Sequence, residues 1–436
     1  MAQQHKKLSM VYYMQHANLQ NASSICVIGL GYIGLPTAAI FASAGHRVVG
    51  VDKRDTIISS VNEGFTHISE PNLAELVKNV VKEGTLRAAH TPQESDAYFI
   101  CVPTPLVCGT NAPDISYVEA AVISIAPTLN KGAIVILEST SPVGTTLEVC
   151  RWIHQMRPDL KLPDQHPEDA DIAVAYSPER VIPGRTLHEL VHNDRVVGGI
   201  SKTCTKKAIA LYKTVVSGFC HETSASTAEL VKLSENAFRD VNIAFANELS
   251  LISEQHGVNV WELIKLANCH PRVNILSPGP GVGGHCIAVD PWFIIHASPG
   301  HARLMHTART INSDKPIKVA KHALSTAQKS GITAVACFGL SYKPDIEDLR
   351  ESPSIEVIEY LASDKKMTVH VVDPHISELP KSLSELKNVE LTTAEYALSN
   401  ADLILFLVNH SAFKTITERD LLNKNIIDVV GLRETR

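Results

Sequence analysis

Ser23-Ser-Ile-Cys-Val-Ile-Gly29-Leu-Gly31-Tyr-Ile-Gly34 carries a short apolar run into three spaced glycines, and an uncharged helical stretch, Ile33 to Ala44, follows. His46-Arg-Val-Val-Gly-Val-Asp52 then reads as a second strand. Strand, glycine turn, helix and strand in so short a span make a βαβ unit, which demands a parallel sheet. Working outward, Ala97 to Val102, Ala133 to Leu137 and Ile172 to Tyr176 are further strand-like runs, with helical patterns at 72–82 and 116–129.

The texture changes after about residue 210. Ser226 to His256 holds no Gly and no Pro, Gly257 stands where a helix-ending residue belongs, and Leu230, Leu233, Ala237, Val241, Ala244, Leu249 and Ile252 keep helical spacing. One rod of about 45 Å, reaching past one small domain to a subunit interface, or two helices with an unmarked kink, both satisfy that pattern. From Ile332 a second α/β cycle starts: strands at Val335–Leu340, Val369–Asp373, Ala401–Val408 and Ile426–Val430, and a helix at Ser354–Leu361. The expected architecture is therefore α/β, with two Rossmann-like doubly wound domains joined by a helical central domain built on a long spine helix. The boundaries are a tail at 1–22, a dinucleotide-type domain at 23–210, the helical middle at 211–320 and the second α/β domain at 321–436.

The 436 residues suit about three domains. Forty-four per cent hydrophobic residues can bury substantial cores, which excludes a disordered or fibrous chain. Lys+Arg 40 against Asp+Glu 46 gives a net charge of −6 with no basic tract, which argues against nucleic acid. Nine cysteines without a CxxC read as reduced thiols in the cytoplasm and argue against zinc; no metal is expected. Leu8 to His46 lacks Asp, Glu, Lys and Arg, but Gln15, His16, Asn18, Gln20 and Asn21 interrupt its first half and Gly29, Gly31, Gly34 and Pro36 its second. No membrane span or signal peptide is expected there.

Gly29-x-Gly31-x-x-Gly34 matches the dinucleotide fingerprint: a tight turn, close approach of backbone to a pyrophosphate, and close helix–strand packing. Asp52, 18 residues past Gly34, is placed to accept from a ribose diol and repels a 2′-phosphate, so NAD is favoured over NADP, with Lys53 and Arg54 softening the preference. Val102-Pro-Thr104-Pro105 and Glu138-Ser-Thr140-Ser-Pro142 put hydroxyls at strand ends, a pattern that turn chemistry alone also produces. Lys232 and Asn236 share a helix face and suit an oxyanion, or else belong to a solvated stripe. Gly279-Pro-Gly281-Val-Gly283-Gly284-His285-Cys286 offers a nest of amides beside a thiol, which points to a nucleophile rather than to a small buried Cys. His285 is a less favoured base. Asp290-Pro291 reads either as a helix cap or as a group that activates water.

These motifs occur in a known order, continued by Pro178-Glu-Arg180, Phe338-Gly-Leu-Ser-Tyr-Lys343-Pro and Asp348-Leu-Arg350-Glu-Ser. From about residue 24 to 432 the chain resembles the UDP-glucose/GDP-mannose dehydrogenase family. Two stretches, His270-Pro-Arg272-Val-Asn and Gly283-Gly-His-Cys286-Ile-Ala-Val-Asp-Pro-Trp-Phe293, narrow the likeness to members acting on an N-acetylated hexosamine. The resemblance implies a four-electron oxidation of a UDP-sugar C6 alcohol to a carboxylate with two NAD and one water. It makes Cys286 the nucleophile, with Lys232 and Asn236 steadying the reacting oxygen. Asp290 and Thr140 then hold or activate water, and Glu179 lies near the sugar. It lines the sugar-nucleotide site with Arg180, Val181, Arg239, His270, Arg272, Gly283, Tyr342 and Lys343, besides Lys232 and Asn236. It gives NAD the contacts Tyr32, Ile33, Asp52, Thr104 and Thr140, with Arg350 reaching the pyrophosphate. Glu179-Arg180 as a structural ion pair, and Arg350 paired to Asp348 or Glu351, stand as alternatives for those residues. A homodimer or higher homo-oligomer and a role in surface-polysaccharide assembly are expected. UDP-N-acetylglucosamine or UDP-glucose as substrate, and a two-electron hydroxy-acid dehydrogenase, remain the competing functions.

Overall fold

A computed structural model describes residues 22–433, so the tail read at 1–22 lies outside the described residues except for its last position. The described chain forms two compact units that divide between Leu233 and Ser234.

The first unit is built on an eight-stranded sheet. Its strands are β1 (Ser24–Ile28), β2 (Arg47–Val51), β3 (Leu86–Ala89), β4 (Ala97–Ile100), β5 (Ile134–Leu137), β6 (Ala173–Tyr176), β7 (Arg195–Gly199) and β8 (Cys220–Ser224). They lie in the order β3-β2-β1-β4-β5-β6-β7-β8. All pairings are parallel except β6 with β7. Parallel strands need cover on both faces, which is why they read as unbroken apolar runs. Ile25 and Val27 of β1 join one core with Phe41 and Phe99, while Cys26 and Ile28 join the other with Tyr98 and Val122. Helix α1 (Gly34–Ser43) follows the glycine turn, and the order reverses between β1 and β4. In open sheets of this kind ligands bind outside the carboxyl ends of the strands at such a reversal.

The second unit carries β9 (Ala334–Phe338), β10 (Thr368–Val372), β11 (Val389–Leu391), β12 (Leu403–Phe406) and β13 (Asn425–Asp428), all parallel in the order β11-β10-β9-β12-β13. Val335 and Cys337 face one core, Ala336 and Phe338 the other. The expected pair of doubly wound domains with helices between them is borne out.

Helix α2 (Ala225–His256) is a single element of 32 residues, so the one-rod reading holds, and at 1.5 Å per residue it is about 48 Å long. After it come α3 (Val260–Ala267), α4 (Asp290–Ala297), α5 (Arg303–Ser330) and α6 (Pro353–Ser363). The first sheet extends beyond residue 210, to β8, before α2 begins. Pro316 sits inside α5, which Gly331 (φ +68°) terminates. No helix among the described residues is long and apolar enough to cross a membrane.

Candidate active site

In the first unit the glycine turn fits a dinucleotide for reasons that can be stated atom by atom. Gly29 has φ +93°, and a Cβ there would lie 2.6 Å from the Cys101 carbonyl oxygen. A Cβ on Gly34 would lie 1.8 Å from the Gly29 oxygen. A Cβ on Gly31 would meet nothing within 4 Å, so its bare backbone is open to an incoming pyrophosphate. The Leu30 amide donates to Asp52 Oδ2 at 3.2 Å, and the Arg54 amide and Nε donate to Oδ1 at 3.0 and 3.3 Å. Burial opposes ionisation of Asp52, but these donors prevail and hold its carboxyl below the ordinary value. The residues therefore suit NAD, with Tyr32 half exposed beside the turn. Thr104 Oγ1 donates to the Thr140 carbonyl at 2.6 Å, which brings the loops after β4 and β5 together.

Glu179 is held by neighbouring backbone and by a buried arginine. Its Oε1 accepts from the Arg180 amide at 2.7 Å, and its Oε2 pairs with Arg195 Nη2 at 3.1 Å. Arg195, 7% exposed, also lies 3.6 Å from Glu138 and over the Tyr212 ring at 4.6 Å. Tyr212 donates to Glu138 at 2.7 Å, and burial pushes the Glu138 carboxyl up against the pull of Arg195. Sequence reading missed this network. The available signal was a pair of charged residues set at the ends of apolar strands, Glu138 after β5 and Arg195 opening β7. Glu229, fully buried on α2, accepts from the amides of Gly144 and Thr146 at 2.6 and 2.7 Å. That bond ties the first turns of α2, where Lys232 follows, to the loop after β5.

In the second unit Asn236 Nδ2 donates to Asp290 Oδ2 at 2.6 Å, and both residues are buried. Asp290 is the first residue of α4 and Val289 holds the cap position, so the reading of Asp290 as the N-cap is corrected. The Asp290 amide donates to the Cys286 carbonyl at 2.8 Å, a bond that closes the turn leading into α4. Lys232 stands one turn before Asn236 in the same unbroken helix. No disulfide engages any of the nine cysteines.

The glycine nest is only partly as expected. The Gly284 amide is spent on the Arg350 carbonyl at 3.0 Å. A Cβ on Gly283 would meet the Glu351 oxygen at 2.5 Å and Tyr342 Cβ at 2.7 Å, and one on Gly284 (φ +79°) the Tyr342 ring at 2.7 Å. These glycines let the Cys286 loop pack against the segment after β9, which brings Gly283 and Tyr342 together. Arg350 forms a two-point pair with Asp348, Nη2 to Oδ2 at 2.6 Å and Nε to Oδ1 at 3.0 Å, as one alternative required. The Asp348 carboxyl, despite burial, is held below the ordinary value by its bonds to Arg350, with a smaller contribution from His285. Arg180 Nη2 donates to the Asp194 carbonyl at 2.6 Å, and Val181 and Ile33 are half-buried. Arg239, His270, Arg272 and Lys343 are exposed, and the His270 ring accepts from the Arg272 amide at 3.3 Å.

Among the described residues Asp345, His375 and His410 bring metal-ligand atoms within 4.8 Å of one another. Both His410 nitrogens are engaged, Nδ1 by the Asp345 amide at 3.0 Å and Nε2 by Asp373 at 3.1 Å, so the ring has no lone pair to give a metal. The Asp373 carboxyl, despite burial, is held down at about 2 by His410 and the amides of Leu340, His375 and Ser341.

A dinucleotide turn with an acidic strand end, in a chain with a second doubly wound sheet and a cysteine backed by Asp290 and Asn236, defines an NAD-dependent oxidoreductase. Family models cover nearly the whole chain: the UDP-glucose/GDP-mannose dehydrogenase NAD-binding domain matches residues 23–216, the central domain 226–314 and the UDP-binding domain 336–433. The chain belongs to that family. It is 52% identical over 418 residues to UDP-N-acetyl-D-mannosamine dehydrogenase of Escherichia coli K12, covering 94% of this chain and 99% of the relative. It is also 52% identical over 409 residues to NDP-N-acetyl-D-galactosaminuronic acid dehydrogenase of Ralstonia nicotianae, covering 94% and 96%. The solved UDP-D-ManNAc dehydrogenase of Pyrococcus horikoshii aligns with a TM-score of 0.84 at 39% identity, covering 94% and 96%.

Proposed function

We propose that this dehydrogenase oxidises the C6 alcohol of UDP-N-acetyl-D-mannosamine to UDP-N-acetyl-D-mannosaminuronate. The observation that carries this reading is the buried Asn236–Asp290 bond, with Cys286 one turn before Asp290. The Gly29–Gly34 turn and Asp52 would hold NAD, which when bound would supply the hydride acceptor for the two oxidations. The balanced reaction is R–CH2OH + 2 NAD⁺ + H2O → R–COO⁻ + 2 NADH + 3 H⁺. Lys232 and Asn236 donate to the C6 oxygen, which gains negative charge as it loses its proton. At the aldehyde level the Cys286 thiolate adds to C6 and a proton reaches the oxygen, giving a thiohemiacetal. Oxidation of that adduct leaves a thioester on Sγ. Asp290, fixed by Asn236, takes a proton from the water that attacks the thioester, and the C–S bond breaks to return the thiolate. Thr140 holds that water, and Glu179, braced by Arg195, flanks the sugar.

The remaining sugar-nucleotide contacts are Arg180, Val181, Arg239, His270, Arg272, Gly283, Tyr342 and Lys343, with Thr104 and Arg350 on NAD. The product would feed surface-polysaccharide assembly in the cytoplasm, where nine thiols stay reduced. Along α2, Leu230, Phe238, Phe245 and Ile252 are 44–67% exposed at intervals of about two turns, a stripe suited to a second copy of the chain. Sedimentation at twice the mass of one chain is the expected result, and a single-chain mass contradicts it.

Because a relative acting in N-acetyl-D-galactosaminuronate chemistry is equally similar, substrate choice is the test. Turnover of UDP-N-acetyl-D-mannosamine should exceed that of UDP-N-acetyl-D-galactosamine, UDP-N-acetylglucosamine and UDP-glucose by at least about tenfold in kcat/KM, the scale of one polar contact. A higher kcat/KM on any of the others overturns the sugar assignment and leaves the chemistry standing.

A further inference from the structure

Cys286 sits in a stretch with no helix or strand, between the end of α3 at Ala267 and the start of α4 at Asp290. Such a segment cannot fix a nucleophile by its own ladder of bonds, so its backbone has to be held from outside. Asparagine side chains do this. Asn268 accepts from the Ile275 amide at 2.7 Å and donates to the Ile275 carbonyl at 2.9 Å. Asn242 of α2 accepts from the Leu276 amide and donates to the Asn274 carbonyl, each at 3.0 Å. Both behave like a short piece of neighbouring strand. The third clamp is the deepest. Asn247 of α2, with no exposed surface, accepts from the Gly279 amide at 2.9 Å, at the head of the glycine run.

Asn247 is itself held in one orientation. Its Nδ2 donates to Asn312 Oδ1 at 2.9 Å, and Asn312 Nδ2 donates to Asp240 Oδ1 at 2.8 Å and to the Asp240 carbonyl at 3.0 Å. Arg309 Nη1 closes the chain on Asp240 Oδ1 at 2.6 Å. A carboxylate only accepts, so Asn312 must present its amino group there and its oxygen to Asn247, whose own oxygen is thereby turned to Gly279. Pro316 supplies the fitting surface. Having no N–H, it leaves the Asn312 carbonyl, four residues back, without its helical donor, and the chain passes there at Gly281 (φ +153°). A Cβ on Gly281 would lie 3.2 Å from that oxygen and 3.1 Å from Pro316 Cγ.

We propose that Asn247 is the positioning residue of the nucleophile: through Gly279 it sets where the Cys286 loop leaves the α2–α5 seam. The proposal rests on the reading of Cys286 as nucleophile. Two variants separate positioning from mere structure. Asn247→Leu keeps the branching at Cγ and removes the acceptor for Gly279. Asn247→Asp keeps that acceptor but turns a carboxylate toward Asn312, which costs stability without releasing the loop.

In Asn247→Leu, kcat should fall about 100-fold, the scale of a misplaced reacting group, with KM for NAD within about twofold. Hydrogen exchange in the peptide containing Gly279 should rise about tenfold, and the rate of Cys286 alkylation by iodoacetamide should shift about fivefold. In Asn247→Asp, Tm should drop while kcat and Gly279 exchange stay within about threefold of wild type. Activity that follows Tm through both variants, or a wild-type kcat in Asn247→Leu, overturns the proposal. If Asn247→Leu fails to fold, Asn247→Asp decides alone: a lost kcat with unchanged Gly279 exchange overturns it, and a retained kcat with a lowered Tm supports it. Wild-type turnover in Cys286→Ala would instead remove the nucleophile reading, while Gly279 exchange would still report the anchor.

Discussion

Cys286→Ala should lose steady-state conversion to the acid by at least about 10³-fold while binding NAD as wild type does. The size follows from the chemistry. A free aldehyde has no hydrogen on carbon that leaves readily as hydride, so without the sulfur adduct the second oxidation lacks its substrate. NADH should appear at no more than one equivalent per sugar consumed, because the proposed first oxidation relies on Lys232 and Asn236 and not on the thiol. Asn236 and Asp290 should remain bonded, since the Cys286 contribution to that turn is a backbone carbonyl, which alanine keeps. A variant with turnover within tenfold of wild type would make the Cys286 loop a structural feature and remove the four-electron mechanism.

The second large effect lies in the first unit. Gly34→Ala places a methyl group 1.8 Å from the Gly29 oxygen and 3.1 Å from Cys101 Cβ. Both are held in place: the Gly29 amide is bonded to the Val51 carbonyl at 2.8 Å, and the Cys101 amide to the Ile28 carbonyl at 2.8 Å. The turn has to open, and NAD affinity should fall more than about 100-fold, or roughly 2.7 kcal/mol, together with Tm. Gly31→Ala is the informative partner, because its methyl group enters open space in the protein alone. It should leave Tm unchanged and still weaken NAD, since the only thing it meets is the bound pyrophosphate. Titration of NAD by fluorescence, beside thermal melts of both variants, separates the two cases. Equal loss of Tm in Gly31→Ala would contradict this account of the turn.

What sequence reading could reach was what neighbours in the chain determine. The Gly29–Gly34 turn was legible because Gly29 and Gly34 answer to atoms within a few residues or on the adjoining strand. Helix α2 was legible because nothing in Ser226–His256 can break it. Helix α5 was not, since Pro316 argues for a break that its neighbours absorb by leaving the Asn312 carbonyl to the glycine loop. The glycine run misled for a related reason. Whether an amide is free to bind an anion depends on its partner, and the Gly284 amide finds Arg350 far along the chain. Asp290 admits a cap reading because Asp-Pro opens many helices, and a water-activating one because it follows Cys286 closely. Asn236, which donates to its carboxylate, is 54 residues away and invisible to local pattern. Arg195 likewise joins Glu179 and Glu138 across the sheet, and only the folded strands make it central.

The stoichiometry of NADH tests the central claim most directly. With limiting UDP-N-acetyl-D-mannosamine and excess NAD, the account predicts two NADH for each sugar consumed and a uronate product, as the balanced equation requires. One NADH per sugar, with aldehyde as the product, would contradict it and place the chain among two-electron dehydrogenases.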